Sequence, residues 1–297
     1  MKRQWYGRDS ELSIRMIVVV FLLTAVYLLF IGVLWDAGVP TVWIIFFAGA
    51  MLAAQYFFSD KLVLMATRAK EVSPADAPEL HARIERLAAM VDLPKPKVAI
   101  MEHDMSNAFA TGRSPSHSVV AVTNGLMRTL SDDEIDAVLA HELSHIRNRD
   151  VMVMTIASFF STVAYFLVRS LMYVRFDGGD RRKGGNPIIV VWLVSLLVWI
   201  VSFLLLRALS RYRELAADRG SAIITGAPSQ LASALTKISG VMGRIPKKDL
   251  REVQGANAFF ILPAVTGESI MELFSTHPSL KTRLDRLERL SQEIERL

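Results

Sequence analysis

The chain has 297 residues, 52% of them hydrophobic, with 34 Lys and Arg against 29 Asp and Glu and no cysteine. The absence of cysteine excludes a disulfide framework and a thiolate metal site, so any metal must be held by histidine and carboxylate. The net charge of +5 does not indicate nucleic acid as a partner, because the basic residues flank apolar runs instead of forming a patch interleaved with aromatics.

The apolar residues gather in a few long runs, the composition of a membrane protein carrying one soluble domain. The first run is Ile14 to Trp35, with Arg15 near its start, and the second is Val39 to Phe58. Each exceeds or matches the roughly 20 helical residues that a bilayer core requires. Asp36-Ala37-Gly38 and Pro40 join them in a tight hairpin. The first run is too long, and too closely followed by a second span, to be a cleaved signal peptide. Lys2, Arg3, Arg8 and Arg15 precede the hairpin and Lys61, Arg68 and Lys70 follow it, whereas the turn carries only Asp36. The excess of basic residues places both ends of the hairpin in the cytoplasm. Residues 1–58 are thus a two-span membrane hairpin.

Residues 59–150 read as the first half of a soluble α+β domain. Pro78 to Val91 is helical, with Leu80, Ile84 and Leu87 on one face. Val98–Met101, Asn107–Thr111 and Ser118–Thr123 are strand candidates, and Asn124-Gly125 is a turn signal. Ser131 to Glu134 is a capping box opening a helix whose apolar face is Ile135, Val138, Leu139, Leu143 and Ile146. Residues 151–209 form a second hairpin from Val151–Val174 and Pro187–Leu206, with Arg169 able to snorkel to the membrane surface. Arg175, Arg181, Arg182 and Lys183 lie in its loop, against the positive-inside bias if both helices cross. The first hairpin, being earlier, decides the orientation; the alternative is that the second pair only partly enters the membrane. Residues 210–297 are the second half of the soluble domain, with helices over Arg211–Thr225, Leu231–Met242 and from Leu280, where Leu284, Leu287, Leu290 and Ile294 recur at helical spacing.

The chemistry centres on His141-Glu142-Leu143-Ser144-His145, an HExxH pattern. Residues four apart share a helix face, so both imidazoles reach one ion, while Glu142 is turned about 100° away and can contact water without ligating. A chance HExxH on a surface helix is the bland alternative. A catalytic zinc takes a third protein ligand and keeps an open position. Glu214, in Arg213-Glu214-Leu215-Ala216-Ala217-Asp218-Arg219, is the best candidate, since an intervening hairpin returns the chain to the same side. Asp218, one turn on, is suited to orient a ligand imidazole. The alternative for Glu214 is a solvated helix carboxylate.

HELSH, a membrane hairpin, RELAADR and then Thr276-His277-Pro278-Ser279 together resemble the HtpX heat-shock protease family, relatives of the CAAX prenyl proteases and of mitochondrial Oma. The resemblance covers nearly the whole chain, although the family form commonly has an aromatic where Leu215 stands. It implies a multi-span α-helical membrane protein with a mostly helical α+β, zincin-like metalloprotease domain. It implies one zinc ion per chain at His141, His145 and Glu214, and Glu142 as the base. It implies His277 as a donor to the oxyanion, ahead of Arg283, which with Asp218 supports the ligands; a capping or core histidine is the alternative. It also implies that Asn107, Ala108, Phe109, Ala110 and Thr111 form an edge strand that pairs with substrate, the alternative being a plain core strand. The implied partners are the lipid bilayer and damaged, misfolded or unfolded polypeptides, in a protein quality-control and stress role at the bacterial inner membrane, with the site facing the cytoplasm. A site-2-type intramembrane protease fits less well, because HExxH lies on a charged helix and no span contains Asp. A membrane scaffold that binds metal without turnover is the reading outside catalysis, disfavoured by the intact Glu142.

Overall fold

The computed structural model describes residues 10–38, 40, 42, 46, 49–50, 53–54, 56–57, 63–171, 187–242 and 276–296. The chain divides into two compact units. One comprises Asp9–Tyr56 and Val153–Leu209; the other comprises Met1–Arg8, Phe57–Met152 and Ser210–Leu297.

The first of these units is built from α1 (Ser10–Asp36), most of α5 (Asp150–Leu171) and the first part of α6 (Pro187–Thr225). All three helices are long and apolar enough to cross a membrane. Leu23 and Phe30 are buried on one side of α1, while Ile17, Phe21 and Leu28 are exposed on the other. An apolar surface of this kind is stable against lipid, not against water. Two polar side chains inside the unit find backbone acceptors: Tyr27 Oη donates to Ala157 O at 2.6 Å and Trp192 Nε1 to Val168 O at 3.3 Å. The second run expected to span, Val39–Phe58, lies for the most part outside the described residues, as does the basic loop around Arg175–Lys183.

The other unit holds a four-stranded sheet in the order β1 (Lys70–Glu71), β2 (Lys97–Met101), β4 (His117–Thr123), β3 (Ala108–Ser114). Strands β2 and β4 are parallel, whereas β3 runs antiparallel to β4 and forms the sheet edge. Side chains alternate across the sheet. Val98, Ala108, Val120 and Val122 join the main core with α2 (Pro78–Ala89), α4 (Asp132–Arg147), α7 (Pro228–Met242) and α8 (Leu280–Glu295). Ala99, Met101, Phe109, Val119 and Ala121 pack on the opposite face with Val63.

Two local expectations are corrected. Asn124-Gly125 is not a turn but the start of a short helix, α3 (Asn124–Thr129). Thr123 caps it by accepting from Leu126 N at 3.1 Å, and Gly125 is needed for space, since a Cβ there would lie 2.1 Å from Asp104 O. The apolar run from Pro187 and the charged segment from Arg211 are one helix, because Arg207-Ala208-Leu209-Ser210 contains no breaker.

Candidate metal centre

Helix α4 carries the two histidines and is anchored at both ends. At its start the Ser131 N–H donates to Glu134 Oε2 at 2.8 Å, and Glu134 also accepts from Ser233 at 2.6 Å and Lys237 at 2.8 Å on α7. Burial opposes ionisation of Glu134, but these donors outweigh it and hold the carboxyl at about 2. Helix α6 lies close against α4. Ser221 Oγ donates to Ala137 O at 2.6 Å, and a Cβ on Gly220 would come within 2.2 Å of Ser144 Oγ. This close approach brings Glu214 over the histidine face.

His141 Nε2 and His145 Nε2 are 3.2 Å apart. Glu214 Oε1 lies 3.3 Å from His145 Nε2, and Oε2 lies 3.6 Å from His141 Nε2. A tetrahedral ion with bonds of about 2.0–2.2 Å separates its ligand atoms by about 3.3–3.6 Å, so the three groups are spaced as ligands of one ion. All three ligand atoms fall within 4.8 Å of one another.

The surrounding hydrogen bonds explain why a cation fits here. His141 Nδ1 faces Asp218 Oδ1 at 3.0 Å, and His145 Nδ1 faces Asp150 Oδ2 at 2.6 Å. Asp150 accepts a hydrogen bond from His145 Nδ1 and fixes that tautomer, while Asp218 sets its negative charge beside His141 Nδ1. The Nε2 lone pairs then point at each other and at Glu214, an assembly of acceptors that repel unless a positive charge joins them. Asp150 is held in turn by Arg213 at 2.9 Å, and Asp218 by Arg283 at 2.9 and 2.5 Å. The buried groups include four carboxylates (Glu142, Asp150, Glu214, Asp218) and two guanidinium groups (Arg213, Arg283). With neutral imidazoles, two negative charges are left for a divalent cation to offset. Burial opposes protonation of His145, yet Asp150 and Glu214 outweigh it and push the imidazole up to about 10; the position attracts positive charge.

Glu142 is buried beside this face. Burial raises its carboxyl above the ordinary value, opposed by the charge of His141 and His145, and the Ala110 N–H also contacts it. That contact places β3 against the site. Asn107 and Thr123 form a bonded pair through Asn107 O and Thr123 N at 2.9 Å. With Ala108 opposite Val122 and Ala110 opposite Val120, the alternation of an antiparallel ladder turns the backbone groups of Ala108 and Ala110 to the open edge.

The structure therefore gathers Glu142, Asp218, His277 and Arg283 around the three spaced ligand groups, with Ala110 at their side. His277 is buried, its Nδ1 3.0 Å from Glu214 Oε2, and Arg283 is fully buried with Nη1 3.8 Å from the same oxygen. Of the strand residues, Ala108, Phe109, Ala110 and Thr111 lie in β3, and Asn107 just precedes it. Two residues were missed by sequence reasoning, Asp150 and Arg213. Asp150 follows the second histidine after a break at Arg149, whose φ of +55° turns the chain. An acid just beyond an HExxH helix and a base just before its third carboxylate were the available signals.

The matches to known proteins agree with this geometry. The model of Peptidase family M48 matches residues 74–291. A protein named Protease HtpX homolog from Moorella thermoacetica is 60% identical over 297 residues, covering 99% of each chain. Protease HtpX homolog 2 from Methanosarcina acetivorans is 57% identical over 294 residues, covering 99% of this chain and 100% of its own. The crystal structure of S. mikatae Ste24p aligns with a TM-score of 0.57 at 21% identity, over 94% of this chain and 67% of that one, a likeness of fold alone. Family match and full-length relatives together establish that the chain belongs to Peptidase family M48, as an HtpX-type, membrane-associated metalloprotease.

Proposed function

We propose that the chain is a zinc-dependent endopeptidase of the cytoplasmic membrane that holds one zinc ion through His141, His145 and Glu214 and uses Glu142 as its base. The observation that carries this is the convergence of three acceptor groups within 4.8 Å, each imidazole fixed from behind by a carboxylate. Two nitrogens and one carboxylate with room for a further ligand suit catalytic zinc. Bound zinc would polarise the scissile carbonyl and acidify water. Glu142 takes a proton from the attacking water and delivers it to the leaving amine; a buried carboxyl with a raised pKa is suited to both transfers. His277 donates to the oxyanion, and its contact with Glu214 supports a part in steadying that ligand as well. Asp218, backed by Arg283, positions His141. Substrate adds as a strand along Asn107–Thr111, where the outward backbone groups of Ala108 and Ala110 offer pairing with little sequence demand. The substrates are damaged or misfolded membrane proteins and unfolded polypeptides, cleaved in quality control under stress, and the site faces the cytoplasm.

One experiment tests metal and orientation together. Inverted membrane vesicles should cleave an added unfolded protein, lose that activity to a chelator and regain it with zinc. Sealed right-side-out vesicles should not cleave it. Cleavage that survives the chelator would remove the metal from the reading, and cleavage by right-side-out vesicles would reverse the orientation.

A further inference from the structure

Beyond the metal centre, the edge strand changes direction. Gly112 has φ +135°, a conformation open to glycine, and a Cβ there would stand 2.1 Å from His117 O. The register of β3 against β4 shifts between Gly112 and Ser114. Arg113 is therefore the extra residue of a bulge, a feature that re-aims a side chain near a site. Its guanidinium carbon lies 5.6 Å from the centre of the Phe57 ring, a cation–π contact.

Arg149 reaches the same place from the break between α4 and α5. A shallow cleft is lined by both arginines, by Thr111, Ile146 and Met152, and by His145. Neither arginine has a carboxylate partner among the described residues. Asp150, which also lines the cleft, is engaged by His145 and Arg213.

We propose that this cleft is a substrate subsite for an acidic side chain, giving the enzyme a preference for Glu or Asp at one position near the cleaved bond. The inference rests on the peptidase reading above and on substrate pairing along β3. A carboxylate seated there gains charge-assisted hydrogen bonds from Arg113 and Arg149, while its methylenes pack on Ile146 and Met152. A polypeptide suits the cleft better than a lipid headgroup, because the edge-strand backbone and His145 form part of its wall.

The test uses quenched fluorescent peptides and the full chain in detergent, with Glu, Gln or Lys placed in turn at each position around the cleaved bond. Wild type should favour Glu over Gln at one position by about three- to tenfold in kcat/KM, expressed mainly in KM and shrinking with added salt. The R113Q/R149Q double variant should cleave the Gln peptide normally, keep its zinc and lose the preference. R113E/R149E should favour Lys. Glu, Gln and Lys cleaved within about twofold of one another at every position by wild type would overturn the subsite, as would a preference that persists in R113Q/R149Q. So would a wild-type response to anionic lipid vesicles, abolished in the double variant, without any peptide preference. A Glu142→Gln control separates the two levels. If it is inactive while wild type cleaves without preference, the subsite alone fails; if it cleaves like wild type, the peptidase reading fails and the subsite falls with it.

Discussion

Asp150 and Asp218 perform one task from two different helices. Each places its carboxylate at the Nδ1 of a histidine, and each is itself held by an arginine. Replacing Asp150 by Asn keeps an acceptor but leaves Arg213 without its counter-charge and removes charge from behind His145. Asp150→Asn should weaken zinc binding by about 10–100-fold, read by competition with a chromogenic chelator. Unchanged affinity would mean that Asp150 only ties the start of α5 to α6. At this scale the pairing of the two histidines on one helix face was legible in the sequence, since HExxH depends on a spacing within one helix. The sequence did not disclose Asp150 and Arg213, because their pairing joins helices separated by a membrane hairpin, and no local period encodes such a contact. His277 stood out in the sequence through the family pattern, but its proximity to Glu214 depends on packing between segments far apart in the chain.

Among the elements, α4 gains its fixed start from Glu134. Its carboxyl is held at about 2 in the folded chain against 4.5 ordinarily. The folded value is depressed, so the stabilisation is fully present above the ordinary value and is lost as pH falls from there towards about 2. Glu134→Gln should therefore melt below wild type at neutral pH, with the gap in Tm closing as the pH is lowered through this window. A gap that stays constant with pH would show that the charge contributes nothing. The edge strand supports a second element-scale prediction. Ala108→Pro removes an outward N–H that would serve substrate and leaves the Ala110 N–H beside Glu142 in place. Cleavage of extended peptides should fall sharply, with zinc content and Tm little changed, because the lost donor is on the open side. A variant that folds, binds zinc and cleaves normally would end the strand-pairing idea, whereas one that unfolds would mark β3 as structural. Pattern and caps made α2, α4 and the core strands legible. The short strand β1 was not, since a Lys-Glu pair carries no alternation to read, and α6 was read as two pieces because hydropathy ends at Leu206 while helix propensity continues.

For the whole molecule, composition and apolar runs already gave the class: a membrane protein with a charged domain. Helix α6 is about 58 Å long by its rise per residue, roughly twice a bilayer's hydrocarbon core. Its apolar first half and the Glu214–Asp218 segment lie within one helical stretch of the chain. The candidate ligand Glu214 and an apolar helix of spanning length are continuous in sequence, a link that a scan for separate spans and motifs does not reveal. The central claim is that this centre is a hydrolytic zinc site with Glu142 beside the metal and not on it. The direct measurement is zinc per chain and peptide cleavage on the same detergent-purified samples of wild type, Glu142→Gln and Glu214→Ala. Wild type should carry one zinc ion and cleave, Glu142→Gln should keep its zinc and lose about 10²–10⁴-fold in rate, and Glu214→Ala should lose both. A Glu142→Gln enzyme that cleaves near the wild-type rate, or that loses its metal while Glu214→Ala retains it, would contradict the account.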